Sequence, residues 1–403
     1  MGTLMDKLNA TNATKEQIRQ AIERKKVSVP ENTPLKDYPA KIDGIYPDAL
    51  FFGETNLGNP LPMKAIWQTM TSGDGKIILA GREGNNNTTK IVVGTKKRWQ
   101  IVTLPQAEKW SVSCFGGGVF VLCGSMFSKI VYSNDGLTWK VASHPLTTPV
   151  SCMAYGNNLF VAGSYGQGMI YSSDGATWKK TPGSPSTEIS KIIFAFDYFF
   201  VMTDAGGVYK SKDLKSWLPV SVPWNYQQVH AFGFAYSDGI LATLLDQNGT
   251  PYFSWTEDGT NWSYTNYVEF DQTRINHFTA VRGTFLWYNH GGSEQGLMMY
   301  RFKNGTYGSE LVQIGNNFYN EYINAPTLFG YASGVMLSVG SGSNYESTDA
   351  IAYSYDLFGW HNSLKTCIED KNGNNITGEV FDRLNMIDGV ALSRAYEAGV
   401  NSI

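Results

Sequence analysis

Residues 132–140 read YSNDGLTWK, with Ser133, Asp135, Gly136 and Trp139 inside seven positions. Asp135 in such a stretch either works on a substrate or holds a turn. The pattern recurs, which separates the two. Ser172, Asp174, Gly175 and Trp178 repeat it 39 residues on, and Ser211, Asp213 and Trp217 follow at the same interval. Thr256, Asp258, Gly259 and Trp262, then Ser354, Asp356 and Trp360, complete five matches to [ST]-x-D-[GL]-x-x-W. Degenerate copies end at Trp99 and Tyr307, so the terminal aromatics stand at 99, 139, 178, 217, 262, 307 and 360. Their spacings, 40, 39, 39, 45, 45 and 53 residues, are those of propeller blades. A catalytic aspartate is needed once or twice, not five times in register, so the repeat assigns these aspartates to turns.

The surroundings of each copy agree. Ahead of Asp174, VSCMAYGNNLFVAGSYGQGMIYSSDG contains three short β-rich runs parted by Gly/Asn turns, and TWKKT follows. Four such segments make one antiparallel sheet. The expected fold is therefore mainly β: a seven-bladed β-propeller of four-stranded antiparallel blades. Each aspartate falls between the third and fourth strands, where it can accept backbone N–H bonds beside a glycine that tolerates positive φ. Each tryptophan opens the last strand and can wedge between sheets.

Composition fits. Aromatics are 14%, glycines number 42 and charged residues are only 17% of 403, a balance suited to short strands and tight turns. The net charge of −3 gives no electrostatic case for nucleic acid or an anionic membrane. No stretch is long and apolar enough for a membrane span, and MGTLMDKLNATNATKEQ lacks a signal-peptide core, so synthesis in a cytoplasm is expected. Cysteines 114, 123, 152 and 367 have no metal-ligand spacing, and reduced packed thiols are expected. No cofactor or metal is expected. The five histidines (144, 230, 277, 290 and 361) form no motif, and DKNGNN at 370–375 departs from a calcium loop and reads as a hairpin turn.

Three regions follow. Residues 1–46 are charged, almost free of aromatics and helical in pattern. Leu4, Met5 and Leu8 form one apolar stripe, and the capping box Thr14–Gln17 precedes Ile18, Ala21 and Ile22. Residues 47–365 hold the blades. Residues 366–403 combine a hairpin pattern at Asn372-Gly373 with a helical one, VFDRLNMIDGVALSRAYEAG.

Over residues 63–365 the repeated units resemble the Asp-box repeats of sialidase-like β-propellers, in a form one residue shorter. That resemblance implies structural boxes lying away from the ligand face. TKEQIRQAIERKKVSVPENTPLKDYPAKIDGI resembles the short helical segment opening many tail and other virion proteins of bacteriophages, particularly those infecting Gram-positive bacteria. The resemblance implies an attachment module, hence other virion proteins as partners of residues 1–46, a homo-oligomer or several copies per particle, and location in the virion. A sialidase would need three arginines clamping a sugar carboxylate, a Tyr–Glu pair and an acidic Asp. The propeller region offers only Arg82, Arg98, Arg274, Arg282 and Arg301, without the F/Y-R-I-P motif. Other glycosidases need two carboxylates across a cleft, for which Asp204, Asp246, Glu257, Glu294, Glu321 and Asp349 are the candidates.

Loops between blades, and between second and third strands, gather opposite the boxes. They carry Trp110, Tyr165, Trp224, Tyr226, Tyr319, Tyr322 and Tyr345, rings suited to the apolar faces of sugars. The expected function is a non-enzymatic tail or fibre adhesin binding host cell-wall glycan. The alternatives are a structural virion component (head fibre, decoration or baseplate element) and a glycan hydrolase.

Overall fold

The computed structural model describes residues 61–362 except 95–98, 225–228, 248–249, 266–277, 282, 290–295, 304–305, 313–325, 333–334, 341–350 and 355–360. The helical patterns of 1–46 and the hairpin and helix of 366–403 lie outside the described residues.

Among these, no helix occurs and the strands form seven four-stranded antiparallel sheets, each a meander of consecutive strands. The first is Ile66–Gly73 (β1), Lys76–Arg82 (β2), Thr88–Gly94 (β3) and Trp99–Glu108 (β4). The second is Trp110–Gly116 (β5), Val119–Gly124 (β6), Ile130–Ser133 (β7) and Lys140–Val141 (β8). The third is Val150–Gly156 (β9), Leu159–Ser164 (β10), Gly168–Ser172 (β11) and Lys179–Lys180 (β12). The fourth is Ile189–Ala195 (β13), Tyr198–Thr203 (β14), Val208–Ser211 (β15) and Leu218–Pro219 (β16). The fifth is Val229–Ser237 (β17), Ile240–Gln247 (β18), Thr250–Thr256 (β19) and Ser263–Thr265 (β20). Phe278–Val281 (β21) opens the sixth and Pro326–Ala332 (β25) the seventh, which also holds β26 to β28 (Val335–Gly340, Ile351–Ser354 and His361–Asn362).

The second strands explain why the sheets stack. IILA in β2, VFVL in β6, LFVA in β10 and FFVM in β14 are apolar runs without alternation, almost wholly buried. Such a run needs cover on both faces. The cover is the neighbouring sheet. Trp139, Phe120 and Trp110 share one cluster with Ile78, Ile91 and Val93 across the first and second sheets. Trp178 and Phe160 share another with Val121, Cys123 and Ile130 across the second and third. The same succession continues to the sixth sheet. Leu61, Trp67 and Leu79 pack with Leu328, Leu337, Val339 and Ile351, so the seventh sheet lies on the first. First strands are neighbours of first strands throughout and form the inside of the assembly. The fold is a β-propeller.

Fourth strands in the second, third and fourth sheets are only two residues long and exposed, with Lys140, Lys179, Lys180 and Pro219 on them. Short edges carrying lysine or proline resist pairing with another chain. Cys114 pairs with Val121 and Cys123 with Val112, so the two cysteines sit diagonally, and Cys114, Cys123 and Cys152 are free thiols. Burial pushes the Cys114 thiol up to about 12 and that of Cys152 to about 11.

A second repeated device joins first strands. A Cβ on Gly73 would lie 2.1 Å from the Phe115 ring, one on Gly116 2.0 Å from Tyr155, and one on Gly156 1.9 Å from Phe194. Each ring of the next sheet thus lies flat on a glycine of the one before.

Candidate functional site

A four-stranded meander has two ends. The turns between first and second, and between third and fourth strands, share one; the second–third turns and the connections between sheets share the other.

At the first end the box aspartates make turns. The Asp135 Oδ1 accepts Thr138 N–H at 2.6 Å, Leu137 N–H at 2.8 Å and the Ser133 hydroxyl at 2.9 Å. Asp174, Asp213 and Asp258 accept the same three bonds at their own positions. The indole N–H of Trp139 donates to Gly136 C=O at 3.0 Å and that of Trp178 to Gly175 C=O at 2.9 Å. Asp356 and Trp360 lie outside the described residues.

The turns also join sheets. At φ 69° and 70°, Gly136 and Gly175 lie against side chains of the preceding sheet, the first on Lys76 and Ile78, the second on Val119 and Val121. Leu214 takes that place at φ 59° and is buried, packed with Val161 and Tyr171. Beyond the glycine, Ser143 N–H donates to Ala176 C=O and Trp178 N–H to Ser143 C=O, both at 2.8 Å. The Lys210 ammonium donates to Gly259 C=O at 2.7 Å. In each described box one carboxylate oxygen, Oδ1, is taken up by the turn itself.

These bonds shift titration. Partial burial pushes the Asp135 carboxyl up, but the N–H groups of Thr138 and Leu137 and the Ser133 hydroxyl outweigh it and hold it at about 2. The N–H groups of Thr177, Ser216 and Asn261 are the main reason that Asp174, Asp213 and Asp258 also lie below the usual range. A depressed folded value contributes stability above the unfolded value of about 4, lost as pH falls through the folded one. Denaturant unfolding is therefore expected to show stability falling between about pH 4 and pH 2. In Asp135→Asn, which keeps the acceptor but not the charge, that fall is shallower than in the wild type.

At the second end, a bulge lies near the start of six first strands among the described residues. It skips Gln68, Ser111, Ser151, Ser190, Phe232 and Thr327. Bulges of this kind re-aim side chains at barrel and sheet rims. Among the described residues three large side chains are exposed here in the second–third turns: Met126, Phe127 and Tyr165, at 49%, 57% and 53%. The turn holding the first two is fixed from below. Glu108, fully buried, accepts Lys109 N–H at 2.8 Å and Phe127 N–H at 2.9 Å, and the Lys129 ammonium lies 5.7 Å from the Phe127 ring centre. Met126 and Phe127 escaped sequence reasoning, although SMFS places two apolar residues inside a turn, which is the signal that could have found them.

Of the aromatic candidates, Tyr165 alone among the described ones lies exposed at this end. Trp110 and Trp224 are corrections. Trp110 opens β5 immediately before the bulge, fully buried against the first sheet with its N–H on Thr88 C=O at 2.9 Å. Trp67, Val150 and Ile189 occupy the same core position in their sheets. Trp224 is buried between the fourth and fifth sheets, its ring 5.8 Å from that of Trp262 and its N–H on Gly206 C=O at 3.2 Å. Tyr226, Tyr319, Tyr322 and Tyr345 lie outside the described residues.

Asp204, in the β14–β15 turn, and Asp246, near the end of β18, lie at the loop end of adjacent sheets, while Glu257 lies in a box turn at the other. Glu294, Glu321 and Asp349 are outside the described residues, as are Arg98, Arg274 and Arg282. Arg82 bonds Gly84 C=O and Asn85 Oδ1 in its own turn, each at 2.7 Å. No group of three or more His, Cys, Asp or Glu could hold a metal among the described residues, and no helix there is long and apolar enough to cross a membrane.

Comparison with known proteins places the chain among β-propeller proteins. Residues 151–278 match a family model described as the DUF6242 beta propeller domain. No curated protein matches the chain. Among solved structures it is similar to an ancestral GH74 enzyme, at 13% identity and a TM-score of 0.54, covering 79% of this chain and 49% of that one. It is also similar to a streptogramin B lyase, at 13% identity and 0.53, covering 70% and 92%. The virginiamycin B lyase of Staphylococcus aureus gives 10%, 0.52, 73% and 95%. At such identities the likeness is one of fold.

Proposed function

We propose that the seven sheets are the blades of one closed propeller and that the chain is a non-catalytic adhesin of a bacteriophage particle. In this reading residues 1–46 attach it, in several copies, to other virion proteins of a tail or fibre. The propeller then meets host cell-wall glycan with its loop end. Multiple copies would convert weak sugar sites into firm attachment. The observation that carries the binding role is the contrast between the two ends. At the box end one carboxylate oxygen of each described aspartate and the indoles of Trp139 and Trp178 are tied into the turns, although Leu137 and Tyr236 are exposed there. At the loop end Met126, Phe127 and Tyr165 stand more exposed, on braced turns. The virion assignment rests on the resemblance of the N-terminal segment.

Exposure of Met126 beside Phe127 favours a second reading, a structural virion component whose loop end contacts another virion protein, since an apolar pair suits a protein surface.

Both readings meet in one experiment. The full chain and a version lacking residues 1–46 are tested on intact Gram-positive cells and on walls stripped of teichoic acid, with released sugar monitored. Saturable binding by both versions, lost on stripping and without sugar release, is expected. Failure to bind across a broad panel of strains would favour the structural reading, and released sugar would establish a hydrolase.

A further inference from the structure

The third and fourth sheets bring several polar side chains together at the loop end. Ser151 and Ser190 occupy the bulges of β9 and β13. The Ser151 hydroxyl donates to Ile189 C=O across the two sheets, and the Ser190 hydroxyl to Met202 C=O at 3.1 Å. Lys191 follows directly. The turns above are strapped down: Tyr165 N–H donates to Pro149 C=O at 3.4 Å, Gly168 N–H to Thr187 C=O at 2.8 Å and Asp204 N–H to Glu188 C=O at 3.3 Å. The two sheets approach closely at Gly163, where a Cβ would lie 2.8 Å from both Cys152 Sγ and Ile189 Cβ. Tyr165, Asp204 and Lys191 thus stand at the same end of the adjoining third and fourth sheets, where Cys152 Sγ lies 3.7 Å from Ile189 C=O.

Lys191 is the unusual member. It is mostly buried, and no carboxylate lies within ion-pairing distance of it among the described residues. Burial lowers its ammonium and Cys152 acts the other way, while the Tyr165 phenol is raised by burial first and then by Cys152 and Asp204. A mostly buried cation without a counter-charge is costly, and an anionic ligand would supply one.

We propose that Ser151, Tyr165, Ser190, Lys191 and Asp204 form a binding site for a sugar unit bearing a phosphate or carboxylate, with Lys191 as the counter-charge. The Tyr165 ring offers a platform for the apolar sugar face, and Asp204 and the two serines offer partners for hydroxyls. The assignment rests on the glycan-binding reading above and narrows it to anionic wall polymers.

Titration calorimetry on the full chain tests it with three probes: isolated glycerol-phosphate wall polymer, inorganic phosphate, and wall glycan freed of the polymer. The wild type is expected to bind the polymer saturably. Lys191→Met should weaken that binding about tenfold or more, as loss of a charge-assisted contact does, while Lys191→Arg keeps most of it. Tyr165→Ala, at an exposed turn position, should weaken it several-fold and keeps the test alive should Lys191→Met fail to fold. Unchanged affinity in folded Lys191→Met overturns the proposal. Binding of neutral glycan alone overturns the anionic assignment and leaves the glycan reading intact, whereas binding of no probe overturns both. Saturation by inorganic phosphate, equally sensitive to Lys191→Met, supports the anion site and overturns its assignment to a glycan.

Discussion

Replacing Trp178 by alanine is expected to lower the unfolding free energy by about 3–5 kcal/mol. The side chain is buried, its ring centre lies 6.2 Å from that of Phe160, and it packs with Val121, Cys123 and Ile130 of the preceding sheet. Truncation leaves a cavity bounded by two sheets and removes the indole bond to Gly175 C=O. Neither sheet can collapse into the space without losing its own neighbours on the far side, so little of the loss is recovered. Denaturant unfolding at neutral pH measures it. Asp174→Ala removes the turn's acceptor but no packing, and is expected to cost about 1–2 kcal/mol. The order of the two variants is thus a check on whether the box acts through its wedge or through its turn.

The second large effect is steric. Gly116→Val is expected to cost about 3 kcal/mol or more, because a Cβ at that position falls 2.0 Å from Cγ of Tyr155, the root of the ring and not its flexible far end. A double-mutant cycle isolates the cause. In a Tyr155→Ala background the same valine fills the vacated space, so the two substitutions together should cost clearly less than their sum. Additive costs would place the strain in the Gly116 backbone instead.

Much of this fold was legible in the sequence because its devices repeat. One Asp-Gly-x-x-Trp stretch is ambiguous, but five in register fix the third–fourth turn and the start of the last strand. The aromatic-on-glycine contacts went unread, although Phe115-Gly116 and Tyr155-Gly156 repeat at the ends of β5 and β9. The loop end was harder. Trp110 opens β5, whereas sequence placed it in the loop before that strand, and this difference in register turns an exposed platform into a core wedge. The bulges that set this register have no signature in Ser111, Ser151 or Ser190 themselves. Burial at Lys191 follows from two sheets meeting, and Glu108 joins its turn through contacts 19 residues apart, so neither could be read from local pattern. The surface that remains after folding is what sequence described least well, and it is where the proposed recognition lies.

The most direct measurement of that recognition compares three full-length proteins on Gram-positive cell walls: the wild type, a loop-end variant with Phe127→Ala and Tyr165→Ala, and the box-end variant Asp213→Ala. The account predicts saturable binding by the wild type and the box-end variant, and at least a tenfold loss in the loop-end variant with its thermal midpoint unchanged. Undiminished binding by the folded loop-end variant, or loss confined to the folded box-end variant, would contradict it.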